Sequence, residues 1–396
     1  MEESSNITLV AVAYNRPDSL SRLLASLNKA CYPEHNVKLI ISIDYGGPAS
    51  VKEVAEKFEW KFGDKQVIAH EQNLGLRRHI LQSGDLTKIH KNIIVLEDDV
   101  FVSKNFYKYA MSALSYYGED EQISGISLYS HKFNETAKLP FVPVKEEQDV
   151  FFLQIAASSG QLWTARNWEE FKQWYGKDTK DDNWHKMPEN IAGWPDSSWK
   201  KYYTKFLMET NKFFVYPYES LTTNFGDIGQ HFWKTDSSAQ VPLNHVKENF
   251  HFCAIEDSMA VYDAFCENHV LAEHLSSAAD SCTVDLYGTK KEVESNRFLV
   301  TIRNYPYAEI KRYALALKPI EENIFHDIPG EQIFLYDTSQ PIEEKPQRRD
   351  FIHSQYEYFY PGMDIRKAAK LLFNTYTFSI LYKFANAKAV KTFRRK

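Results

Sequence analysis

The chain has 396 residues, 43% of them apolar and 15% aromatic, which gives a globular protein with a large core and, at this length, two domains. Lys and Arg number 47 against 53 Asp and Glu, a formal net charge of −6, too acidic for a protein that coats nucleic acid. The four cysteines, Cys31, Cys253, Cys266 and Cys282, form no C-x-x-C pair and read as free thiols of a reducing, cytosolic compartment. The N-terminus offers no charged segment followed by a long apolar one, and no run approaches about 18 uncharged apolar residues, so neither a signal peptide nor a membrane span is expected.

In chain order, "ITLVAVA" (7–13) is an apolar run that stops at "YNRPDS". Pro17 suits a first helical turn there, and "LSRLLASL" has helical apolar spacing. "VKLIISID" (37–44) is a second buried strand, ending in Asp44 and a Gly46-Gly47-Pro48 turn. A helix near 50–61, a strand at "QVIAH" (66–70) and a helix after "NLGLRRH" follow. "NIIVL" is the fourth strand and "SKNFYKYAMSALSYY" the next helix. This alternation predicts an α/β fold with right-handed βαβ units and a mostly parallel sheet covered on both faces.

The fourth strand ends in Glu97, Asp98 and Asp99. Three adjacent carboxylates at the mouth of a buried strand repel one another and lose hydration, which a hard divalent cation would offset; the alternative is a solvated acidic turn. Arg16, Asp44 and the triplet all fall just past carboxyl ends of strands, where such sheets bind ligands. A guanidinium, a lone carboxylate and a metal-binding cluster on one rim suit a nucleoside diphosphate: Arg and metal for the pyrophosphate, carboxylates for ribose or sugar hydroxyls. There is no G-x-G-x-x-G and no G-x-x-x-x-G-K-[ST] motif, so neither dinucleotide nor P-loop binding is indicated.

The segments "AYNR" (13–16), "ISIDYGG" (41–47) and "VLEDDVFVSKNFYKY" (95–109) resemble the nucleotide-binding half of GT-A glycosyltransferases, most of all the N-acetylglucosaminyltransferase I family. "GWPDSSWKKYY" (193–203) is similar to that family's Trp-Pro-x-x-x-Trp segment, and "VYPYESLTTNFGDIGQHF" (215–232) to the stretch that closes over its donor. The resemblance implies a metal-dependent, inverting transfer of a hexosyl or N-acetylhexosaminyl group from a UDP-sugar, with Mn2+ or Mg2+ as cofactor. It assigns Asp99 to the metal and Asp98 and Glu97 to the sugar nucleotide. Arg16, Asp44 and Arg77 of "NLGLRRH" complete the donor-binding set.

One departure bears on catalysis. The family's catalytic Asp follows the second Trp of that segment, and here Lys200 stands there, a poor base unless strongly desolvated. Asp196 would lie about a turn away if a helix began at Pro195, and is the expected base; Glu219 and Asp227 are the reserves. His231, beside Gly229 in the closing loop, is a candidate metal or pyrophosphate ligand. "SSGQLW" (158–163) is a candidate lining of the acceptor side, and most of Trp163, Trp168, Trp174 and Trp184 are expected in the core.

The expected organisation is a catalytic GT-A domain over 1–245, a smaller α/β or β-rich module over 246–350 with strands at "FLVTIRN", "YALALKPI" and "EQIFLYD", and a basic tail over 351–396. Residues 362–396 mix basic with apolar side chains, which suits either an anionic membrane surface or docking on the protein itself. The resulting expectation is a bacterial cytosolic enzyme, peripheral at the inner membrane face if the tail binds there, acting on a glycan acceptor, lipid-linked in that case, in capsule, O-antigen or exopolysaccharide assembly. A nucleotidyltransferase would need a Gly-rich loop with Arg and Lys that "AVAYNRPDS" lacks. A non-catalytic glycan-binding scaffold is favoured only by Lys200.

Overall fold

The structure, a computed structural model, describes residues 6–33, 36–177, 183–227, 239–275, 282–293, 295–343, 351–362 and 366. The first half alternates β1 (Ile7–Ala13), α1 (Pro17–Leu27), β2 (Leu39–Ile43), α2 (Ala49–Lys57), β3 (Lys65–Ala69), α3 (Gly75–Asp85), the single turn α4 (Thr87–His90) and β4 (Asn92–Glu97). It continues through β5 (Val100–Val102), α5 (Phe106–Tyr117), β6 (Ile123–Ser127), a hairpin of β7 (Phe133–Asn134) and β8 (Leu139–Pro140), β9 (Val150–Leu153) and β10 (Gln161–Thr164). Then come α6 (Ala165–Lys177), α7 (Glu189–Ala192), α8 (Trp199–Thr210), β11 (Phe213–Pro217), β12 (Thr222–Asn224) and β13 (Val261–Tyr262). Nine of these strands make one sheet in the order β13-β9-β11-β6-β10-β4-β1-β2-β3. β1 pairs in parallel with β2 and β4, and β2 with β3, as right-handed crossovers require. β10 runs antiparallel to both its neighbours, β4 and β6, so the sheet is mostly, not wholly, parallel.

β1 is apolar at every position but Thr8 because both its faces are covered. Leu9, Ala11 and Ala13 pack in one layer with Leu20, Leu23, Leu24 and Leu27 of α1, which form a single helical stripe. Val10 and Val12 pack in the other layer with Trp163, Trp168, Trp199 and Tyr203. Trp163 and Trp168 are core residues, as expected. Trp174 and Trp184 are only partly buried and lie against Lys205 and Lys201.

The smaller module is a second sheet, β14 (Cys282–Asp285), β15 (Phe298–Thr301), β16 (Tyr307–Tyr313) and β17 (Ile333–Pro341), ordered β14-β15-β17-β16 over its own apolar cluster. Two expectations of the sequence shift here. "YALALKPI" is not a strand: the strand precedes it and ends at Tyr313. The backbone N–H groups of Ala316 and Leu317 are taken up by Asn323 Oδ1 (2.8 Å each) instead of a ladder. The helix expected from Pro195 begins at Trp199, because Ser198 is its cap and its hydroxyl accepts from the Lys201 N–H (3.3 Å). Most of the basic tail, 363–365 and 367–396, lies outside the described residues, as does His231. Among the described residues no helix is long and apolar enough to cross a membrane.

The layer beneath α3 and α6 depends on a close approach at Gly84, where a Cβ would fall 2.1 Å from Cζ2 of Trp168, itself fixed in the core. Gly84→Ala is therefore expected to destabilise the protein by about 1–3 kcal/mol, read as a lowered urea midpoint with unchanged slope.

Candidate active site

The rim is assembled by loops that follow β1, β2 and β4. Gly46 has φ +98°, and a Cβ on Gly47 would lie 1.9 Å from the Tyr14 carbonyl oxygen, so the loops after β1 and β2 touch backbone to backbone. Buried Asp44, just beyond β2, accepts from the backbone N–H groups of Tyr45 (2.8 Å), Leu74 (2.8 Å) and Gly75 (3.0 Å). It thus places a carboxylate at the start of α3, where the helix dipole favours it.

The triplet ends β4. The pairing of Val12 with Glu97 sets β1 and β4 in register, and Arg16, four residues beyond Val12, reaches across. Its guanidinium donates to Asp98 and, at 2.9 Å, to Asp99 Oδ2. Burial pushes the Asp98 carboxyl up to about 6, with Arg16 pulling the other way. Burial, then the two aspartates, hold Glu97 well above the carboxylate range, while Arg16 and Lys200 only partly offset them. One guanidinium does not balance three carboxylates at the end of a buried strand.

A lid covers the cluster. β5, directly after the triplet, pairs antiparallel with β12, which carries Asn224 over Asp99. Asn224 Nδ2 donates to Asp99 Oδ1 (3.1 Å), and the Phe225 N–H to the Asp99 carbonyl (2.9 Å). Phe225 lies under the Arg22 guanidinium, 3.7 Å from its ring centre. Asp227 accepts from Ser19 Oγ (2.7 Å) and from Arg22. Burial would raise its pKa, but Ser19, Arg22 and Arg16 outweigh that and leave it lowered.

The remaining candidates are dispersed. Asp196 is on the turn before α8 with its side chain 83% exposed, paired with Lys201 at 3.5 Å. Glu219 is exposed and bonded to Asn244 Nδ2 (2.7 Å). Arg77 rests on the Tyr202 ring, 5.0 Å from its centre, joining α3 to α8. Lys200 faces inward, 4.0 Å from Glu135 and 5.1 Å from the centre of the Trp194 ring. The structure therefore gathers Arg16, Asp98, Asp99 and Asp227 and adds Asn224, Ser19 and Arg22. Asn224 sits in the segment read as a closing loop; nothing in the sequence singles out Ser19 or Arg22.

Among the described residues no group of three or more His, Cys, Asp or Glu is arranged around a metal position. The donor chemistry nonetheless fits a hard cation: Asp98 and Asp99 offer carboxylate oxygens in a cluster with surplus negative charge. Small hard cations are commonly held by one or two carboxylates together with substrate phosphates and water.

Residues 8–167, from β1 into the start of α6, match the family model described as Glycosyl transferase family 2. None of the curated proteins matches the chain. Among solved structures, the chain is similar to S. aureus TarS 1-349 in complex with UDP, at 13% identity over 50% of this chain and 54% of that chain, TM-score 0.34. It is similar to GalNAc-T7 with UDP, GalNAc and Mn2+, at 13% identity over 55% of this chain and 43% of that one, TM-score 0.39. It is also similar to the mannosyltransferase PcManGT from Pyrobaculum calidifontis in complex with GDP-Man and Mn2+, at 11% identity over 43% and 46%, TM-score 0.30. The chain covers 49%, 54%, 33% and 47% of four TarS structures, about half their length or less. Residues 8–167 thus carry the glycosyl transferase family 2 match within an α/β architecture of one large, mostly parallel sheet with an added small β module.

Arg16 is the one cation bonded to the triplet among the described residues. Arg16→Met is expected to lower stability by about 3 kcal/mol, and Asp98→Asn in the same background to recover part of it. The check is a double-mutant cycle of urea unfolding, in which the coupling exceeds the error of the single changes.

Proposed function

We propose that the protein moves a sugar from a nucleoside diphosphate donor, UDP-linked, to an acceptor hydroxyl with inversion, assisted by a divalent cation. The observation that carries this reading is the rim cluster. Arg16 gathers Asp98 and Asp99 at the carboxyl end of β4 while Asn224 closes over Asp99. The motifs that resemble the N-acetylglucosaminyltransferase I family support the choice of uridine and of inversion.

In this reading Asp99, aided by Asp98, holds Mn2+ or Mg2+, which supplies charge stabilisation for the departing diphosphate. Arg16 is the guanidinium within reach of the diphosphate oxygens, for which its planar fork is suited. Asp44, with its oxygens fixed by α3, faces the nucleoside, and Glu97 faces the sugar; Arg77 braces α3 from behind. The Asn224–Asp227 segment excludes water from the reacting centre, with His231 four residues further along the sequence. The acceptor is a glycan, lipid-linked at the cytoplasmic face of a bacterial membrane, an extension supported by the basic and apolar composition of residues 362–396.

A second reading, a glycan-binding scaffold without turnover, is favoured by Lys200 at the position of the family's base. Turnover of any nucleotide sugar rules it out. For the first reading, Asp99→Asn is expected to abolish manganese-dependent UDP binding while the melting temperature stays close to that of the wild type. Titration calorimetry with and without manganese checks this; an unchanged manganese dependence would remove Asp99 from the cation.

A further inference from the structure

We propose that Glu135, held against Lys200 at the edge of a small recess beyond the end of β6, takes the proton of the acceptor hydroxyl. This rests on the glycosyltransferase reading of the rim and supplies the carboxylate that the Trp-Pro-x-x-x-Trp segment lacks.

Glu135 lies in the hairpin between β7 and β8, far in sequence from the donor motifs. Lys200 Nζ is 4.0 Å from Glu135 Oε1. β4 and β6 both run antiparallel to β10, so the segment leading from β6 to Glu135 leaves the sheet on the rim that carries the triplet, and its Leu128 carbonyl accepts from the N–H groups of Leu221 and Thr222 (2.8 and 3.1 Å), just ahead of Asn224. α8 fixes the Lys200 ammonium: Trp199, one residue earlier, is buried against Trp163, and Lys201, one residue later, donates to the Trp194 carbonyl at 3.0 Å. Lys200 therefore projects towards Glu135 from a rigid helix start, with its side chain only 18% exposed.

The surroundings form a small polar recess, with room for about one water-sized group. Glu135, His131, Thr136, Asn190 and Trp194 line this recess together with Ile155 and Ile191. His131 is buried at 7% exposure, and its Nε2 has no hydrogen-bond partner among the described residues. Burial, then Lys200, push this imidazole down to about 4, so it is neutral and free to bond a hydroxyl. Trp194 adds an aromatic face of the kind that lines sugar pockets. The Glu135 side chain is 41% exposed, so an acceptor can reach it, and Lys200 draws its carboxyl below the usual range despite partial burial. It is ionised at neutral pH, as a base must be. Of the other carboxylates, Asp227 is bound by Arg22 and Ser19, and Asp196 is 83% exposed and paired with Lys201; Glu219 and Glu135 each have an amide partner, Asn244 and Asn190, and Glu135 also has Lys200 of α8 at 4.0 Å.

In the step, the acceptor oxygen bonds to the anomeric carbon as its proton passes to a Glu135 carboxylate oxygen. The bond from the anomeric carbon to the diphosphate oxygen breaks, and its electron pair leaves with UDP. Lys200 is a positioning residue that keeps Glu135 ionised and directed inward.

The test uses the full chain with manganese and UDP-N-acetylglucosamine, UDP-glucose and UDP-galactose, measuring UDP release and, separately, UDP affinity. Glu135→Gln is expected to lower turnover at least about a hundredfold, with UDP affinity and melting temperature near those of the wild type. Glu135→Asp, which keeps the charge but withdraws it by one methylene, should lose about tenfold or more and guards against a folding defect in the amide. Lys200→Met should lower kcat and shift the acidic limb of the pH profile upward, and Lys200→Arg should restore that limb. Wild-type turnover together with unimpaired Glu135→Gln overturns the role of Glu135 alone, as does loss of turnover in Asp196→Asn with Glu135→Gln active. A wild type that releases UDP from none of the donors overturns the transferase reading and Glu135 with it.

Discussion

The placement of Arg16 against Asp98 and Asp99 is the constraint from which the rest of the site follows. β4 is buried on both faces, so its end is a poorly hydrated place for carboxylates. The charges are tolerable only if a cation arrives from a neighbour. β1 is that neighbour, and its parallel register with β4, Val12 beside Glu97, puts the loop after it over the triplet. The continuous apolar run of β1, the proline that starts α1 and the two glycines that let the β2 loop touch Tyr14 all serve to hold that loop in place. Removing one member of such a pair exposes the desolvation cost that its partner offsets. The lid obeys the same logic, since Asn224 and the Phe225 N–H bond Asp99 and Asp227 returns to Arg22.

Strand periodicity divides the triplet between two faces. Ile93 and Val95 point into the layer of Trp163, Trp199 and Tyr203, and Glu97, two residues on, continues that side, where Lys200 acts on it. Asp98 and Asp99 are already in the turn and meet Arg16. One short acidic segment thus carries a pair that meets Arg16 and a carboxylate on the side of α8, without any further element to bridge them.

Legibility in the sequence follows the same physics. The first four strands and their helices could be read because burial on both faces leaves uninterrupted apolar runs bounded by turn residues. The triplet stood out because like charges at a strand end need an explanation. The start of α8 was misplaced because Pro195 and Asp196 look like a first turn, whereas the hydroxyl of Ser198 makes the cap that decides it. The strand Tyr307–Tyr313 was missed because it is an edge strand in which only Tyr313 is buried, with Glu309, Ile310, Lys311 and Arg312 exposed. Asp44 was legible as a rim residue, but its bonds to Leu74 and Gly75 join segments about 30 residues apart, a contact that periodicity does not encode. Glu135 gave no signal at all, lying between strands of two residues each.

Lys200 is the residue whose meaning changes most between sequence and structure. As a letter in a motif it replaces a base and argues against catalysis. In the fold it is a cation 4.0 Å from Glu135, and its charge also partly offsets that of Glu97. An aspartate at 200 would add a third negative charge to those of Glu97 and Glu135, raising the pKa of each; a lysine there lets Glu135 remain ionised. Exchanging the sign at position 200 and supplying the carboxylate from the β7–β8 hairpin preserves the local charge balance that a base needs. The chemistry of the site is therefore set by the sum of charges around α8 and the end of β4, not by the identity of any one position in the Trp-Pro-x-x-x-Trp segment.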